Sequence, residues 1–180
     1  MKSLREYIGK KFGKLQGITP TKERTFTAPE NAYIFGNNTS KHYREARKVY
    51  EFLKNNYQGI TGIYIQYNTT DNIFEVSCRN DLVLKNTSAT HVLNNSGVPF
   101  KFIAINGDFI LKNRKALVSL AGCPEYVTGN FDISKCSGLT TFEGCPANVD
   151  GDFICSKIND NITEEYIRSL CNVKGNVIIN

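Results

Sequence analysis

The chain has 180 residues, six cysteines, no tryptophan and a net charge of +5. That length allows one domain with a real core, or two small units sharing an interface, and leaves little room for a large enzyme domain. No run of 18 apolar residues occurs and MKSLREYIGKKFGK lacks the apolar core of a secretory signal, so we expect a soluble chain that stays in a cytoplasm.

Residues 1–25 form a basic amphipathic segment. Lys2, Arg5, Lys10, Lys11, Lys14, Lys22 and Arg24 stand there against Glu6 and Glu23, which accounts for the whole excess of positive charge. Attraction to an acidic partner is therefore expected from this arm and not from the body, with Arg5, Lys10, Lys11 and Lys14 as the basic anchor. Ser3 and Glu6 have the spacing of a capping box, and Leu4, Tyr7, Ile8, Phe12 and Leu15 fall on one helical face. Gly9 and Gly13 weaken that helix by about 1 kcal/mol each relative to alanine. GITPTKERTFTAPEN then reads as linker.

Residues 26–90 read as an α+β unit. AYIF is a short strand candidate. The run from Ser40 to Tyr57 is the best helix, with Tyr43, Ala46, Tyr50, Leu53 and Tyr57 on one stripe and Gly59 as its stop. GIYIQY and IFEVS, on either side of NTTDN, read as a β-hairpin.

Self-similarity decides residues 91–180. GDFILK from Gly107, GNFDIS from Gly129, GDFICS from Gly151 and GNVIIN from Gly175 are spaced 22, 22 and 24 residues apart, with LVSLAGCPEYVT and LTTFEGCPANVD between them. Phe109 and Leu111, Phe131 and Ile133, Phe153 and Cys155, and Val177 and Ile179 are expected to stack inward. Leu117, Leu120, Leu139 and Phe142 supply the return, and Gly-Cys-Pro the corner. This describes a short leucine-rich-like β-solenoid whose units bury surface on their neighbours. Gly97-Val98-Pro99 marks a degenerate earlier rung. Thr163, Glu164 and Glu165 mark a short helix in an atypical last unit, which also lacks Gly-Cys-Pro.

The recurrence of leucine, Gly-x-Pro, a β-branched residue and Gly-x-Phe resembles the short repeats of many large-tailed-phage proteins, and the likeness covers Leu93 to Asn180. MKSLREYI also looks like the leader of some encapsidated phage proteins, with Leu4-Arg5-Glu6 similar to sites cut by prohead proteases. Carried to function, the resemblance leads us to expect a phage accessory protein acting by protein–protein binding, in the virion or on a host factor.

Two outward rows are the candidate partner-binding residues: Asp108, Asn130, Asp152 and Asn176 in one, and Ile110, Asp132, Ile154 and Ile178 in the next. They form either a recognition sheet or, for the isoleucines, a surface packed beneath the α+β unit. Cys123 and Cys145 occupy equivalent corners, where a metal pair or disulfide competes with a simple role as small apolar filler. His42 and His91 are the two imidazoles, and neither stands in a nucleophile pattern. No phosphate loop, dinucleotide fingerprint or zinc motif is present, so no cofactor, metal or catalytic residue is nominated. The expected fold is α+β: an N-terminal helix and hairpin unit continuing into the solenoid. The competing functions are nucleic-acid binding through the arm and a small enzyme with its site in the α+β unit.

Overall fold

The computed structural model describes residues 32–35, 40–85, 93, 96–158 and 161–179, of which 32–41 are described in the backbone alone. Residues from Asn31 onward form one compact unit. Its elements are β1 (Ala32–Phe35), α1 (Ser40–Asn56), β2 (Tyr57–Gln58), β3 (Ile63–Asn68), β4 (Ile73–Cys78), β5 (Leu82–Leu84), β6 (Phe100–Ile105), β7 (Phe109–Ile110), β8 (Tyr126–Val127), β9 (Phe131–Asp132), β10 (Asn148–Val149), β11 (Phe153–Ile154), α2 (Glu164–Leu170), β12 (Asn172–Val173) and β13 (Val177–Ile178). The fold is α+β and closes in a β-solenoid.

Two sheets carry it. A long sheet runs β1-β3-β4-β6-β8-β10-β12 and a short sheet β13-β11-β9-β7-β5-β2. Between β4 and β13 the chain alternates between them, so each turn adds one parallel strand to each sheet. The expected hairpin is β3 and β4, paired antiparallel over their whole length. Its turn is held by Asn68, whose Oδ1 accepts the Thr70 N–H at 2.9 Å. β1 joins parallel to β3 at the edge.

Helix α1 buries Ala46, Val49, Tyr50 and Leu53, one stripe at helical spacing. It ends one residue earlier than the pattern implied. Tyr57 leaves the helix to begin β2, is buried, and donates from its hydroxyl to the Leu93 carbonyl at 3.0 Å. Its ring links the two halves of the molecule, lying 5.8 Å from Phe102 and 6.2 Å from Phe109. From there the aromatic column continues through Phe131, 6.1 Å from Phe109, to Phe153 at a further 5.0 Å. One core therefore passes from the helix and hairpin into the repeats.

Phe109, Leu111, Phe131, Ile133, Phe153 and Cys155 are buried, as are the return residues Leu117, Leu120 and Leu139. Phe142 and, on the last rung, Val177 and Ile179 are half-exposed. The Gly-Cys-Pro corners turn through Gly122 and Gly144 at φ 94° and 84°, a region that side chains other than glycine's rarely enter. A Cβ at Gly144 would also stand 2.6 Å from the Ala121 Cα of the rung before.

In the rung that carries β12 and β13 the return segment is the helix α2. Thr163 caps it, its hydroxyl accepting the Tyr166 N–H at 3.2 Å. Arg168, paired with Glu164 at 2.7 Å, donates to the Val173 and Gly175 carbonyls at 2.7 and 3.1 Å. In earlier turns the equivalent carbonyls of Val149 and Gly151 accept backbone N–H groups of the next rung. Arg168 thus supplies side-chain donors to carbonyls whose equivalents in earlier rungs accept backbone N–H groups.

Candidate functional site

The polar row lies at the narrow corner where the chain passes from the long sheet to the short one. Each member is hydrogen-bonded to the next. Asp81 Oδ1 accepts the Asp108 N–H at 2.8 Å, Asp108 Oδ1 the Asn130 N–H at 2.6 Å, Asn130 Oδ1 the Asp152 N–H at 2.8 Å, and Asp152 Oδ1 the Asn176 N–H at 2.8 Å. Strand alternation places these side chains outward, and the corner bends them along the solenoid axis onto the following rung.

The ladder explains the preceding glycine. A Cβ at Gly151 would stand 2.6 Å from Asn130 Oδ1 and from the Gly129 carbonyl, and one at Gly175 would stand 2.5 Å from Asp152 Oδ1. The rungs are also joined there by backbone, Gly151 N–H to the Gly129 oxygen at 3.0 Å. In Gly-Asx-Phe, glycine clears the space, the Asx oxygen caps the next rung, and phenylalanine fills the core.

One rung escaped the sequence reading. Asn80-Asp81-Leu82-Val83-Leu84 is in register with Gly107-Asp108-Phe109-Ile110-Leu111, through Leu82 opposite Phe109. Asparagine is tolerated in the glycine's place because no Asx side chain of an earlier rung presses on it. Instead Asn80 Nδ2 donates to Thr61 Oγ1 at 2.6 Å. The Asx-Leu-x-Leu likeness was the available signal.

The second row stays at the surface of the short sheet. Val83, Ile110, Asp132 and Ile154 are half-exposed and in register, and Ile178 ends the row 38% exposed. Asp132 breaks its apolar character, with Oδ1 accepting the Ser134 N–H at 2.8 Å. Helix α1 meets β3 of the long sheet, and Phe52 lies 5.8 Å from Phe100.

Arg5, Lys10, Lys11 and Lys14 lie outside the described residues, as do His91 and the Leu4-Arg5-Glu6 triplet. His42 stacks on Tyr67 at 4.0 Å on the hairpin. All six cysteines are free, and all but Cys145 are buried. Burial pushes the Cys78, Cys123 and Cys136 thiols up, and Cys155 to about 11. Cys145 is pushed up by its hydrogen bond with the Cys171 thiol and then by burial, while the same bond lowers Cys171. Protonated thiols in apolar surroundings are weak nucleophiles. Among the described residues no group of His, Cys, Asp or Glu is arranged to hold a metal ion, and no helix is long and apolar enough to cross a membrane.

These features define a class, an α+β fold that continues into a β-solenoid of about four turns. The chain matches no protein-family model, no curated protein and no solved structure.

Proposed function

We propose that the protein is a non-enzymatic binding scaffold that recognises a protein partner through the short-sheet face of its solenoid. One observation carries this reading: Ile110, Ile154 and Ile178 share one in-register row, interrupted by Asp132, that the fold leaves at the surface, while Phe109 and Phe153 on the other side of the first two strands are buried. Apolar side chains held on a sheet with about 4.8 Å between rungs, Ile110 and Ile154 two rungs apart about Asp132 and Ile178 one rung beyond, suit a protein surface. Of the nominated residues, Ile110, Asp132, Ile154 and Ile178 are the contacts; Asp108, Asn130, Asp152 and Asn176 act through the ladder that holds them in line.

We read the solenoid as leucine-rich-like, since Leu117, Leu120 and Leu139 line its return segments. The resemblance of its repeats to those of tailed-phage proteins supports reading it as an accessory protein of such a phage, acting in the virion or in the infected cell. The test is capture of partners by the full chain and by an Ile110→Glu, Ile154→Glu variant from nuclease-treated lysate of an infected host. A defined protein held by the native chain and lost by the folded variant supports the reading. Equal retention by both contradicts it.

A further inference from the structure

The second corner of the solenoid, where the chain leaves the short sheet, carries a charge pattern that net charge conceals. Lys85, Lys112, Arg114, Lys115, Lys135 and Lys157 all fall in this turn on successive rungs. The stretches 111–117 and 133–139 contain no acidic residue, and the equivalent 155–161 contains one, Asp160, three residues after Lys157. The register is fixed by backbone bonds that continue past the strands, Asn113 N–H to the Ser134 oxygen and Lys135 N–H to the Ser156 oxygen, both 2.8 Å. Lys135 and Lys157 therefore stand one above the other, about 4.8 Å apart in the backbone. The ion pairs among the described repeat residues are made by Lys101, Arg168 and Lys174. Lys112, Lys115, Lys135 and Lys157 are exposed.

Backbone conformation supplies a second, independent observation. Asn113, Lys135 and Lys157 share one left-handed position, at φ 64°, 60° and 58°. Asparagine and glycine accept that region readily, and lysine does so against steric resistance. Stacked like charges add repulsion. A strained backbone and self-repelling cations at one repeated position are the pattern of a site kept for what it binds.

We propose that this corner is a ridge for the phosphate backbone of a nucleic-acid duplex, bound without reading sequence. A row of cations with no acid between them is complementary to the closely spaced charges of a duplex strand. These turns hold no aromatic side chain on which an unpaired base would stack, which favours duplex over single strand. The ridge shares no residue with the basic segment 1–25 or with the isoleucine row.

The test uses the full chain, so that residues 1–25 contribute equally to both samples. Binding of a short mixed-sequence DNA duplex is followed by fluorescence anisotropy over a range of KCl concentrations, for the native chain and for Lys112→Gln, Lys135→Asn, Lys157→Asn combined. Asparagine removes the charge and keeps the left-handed turn, so the thermal midpoint should not fall. The expected result is a slope of log affinity against log salt shallower by about three, with affinity at low salt reduced roughly tenfold or more. Unchanged slope and affinity in the folded variant would overturn the proposal, as would a native chain that binds phosphatidylserine vesicles and not the duplex.

Discussion

Two of the solenoid's corners, those that flank the short sheet, turn the chain with opposite chemistry. At the narrow corner every rung repeats an Asx residue, preceded by glycine in all but the first, and the side-chain oxygens are spent on the next rung. At the other, the same left-handed position is filled by asparagine once and lysine twice, with cations reaching into solvent. The difference teaches which repeated residues are scaffold and which are free to act. A repeated polar residue whose oxygen caps its neighbour explains its own repetition, whereas a repeated lysine in a strained turn does not.

The largest expected effect lies at the narrow corner. Gly151→Ala sets a methyl 2.6 Å from backbone atoms of Gly129, so two rungs must separate, and we expect a loss of at least about 4 kcal/mol in urea unfolding. Phe131→Ala, which opens the aromatic column between the corners, should cost about 3–5 kcal/mol in the same measurement. Asn130→Ala leaves the Asp152 N–H without its acceptor and should cost about 1–3 kcal/mol. The smallest effect has the opposite sign. Lys135→Asn relieves the left-handed lysine and should raise stability by up to about 1 kcal/mol, seen as a higher thermal midpoint. A loss of stability there would place the second corner with the first, as scaffold.

Much of this organisation was legible because periodicity reports burial. The spacing of Gly107, Gly129 and Gly151 predicted the rungs, the alternation around NTTDN the hairpin, and Ala46, Tyr50 and Leu53 the helix. What could not be read was direction at corners. Period-two alternation assigns Asp108 and Asn130 outward, yet a corner residue's side chain runs along the stack, and its partner lies 22 residues away. The first rung was hidden because Asn80, with no Asx pressing on it, does not need to be glycine. The basic ridge was hidden because acids in the rest of the body balance it, and only the register separates the two signs.

The account rests most heavily on the Asx ladder, and Asp108 tests it most directly. Its Oδ1 receives the Asn130 N–H at 2.6 Å, and its own N–H is capped by Asp81. Urea unfolding of Asp108→Asn and Asp108→Ala separates the acceptor from the charge. The ladder predicts that Asn, which keeps the oxygen, holds native stability or better, while Ala loses about 1–3 kcal/mol. Equal stability of the two variants would contradict it and return the polar row to the surface as a set of free side chains.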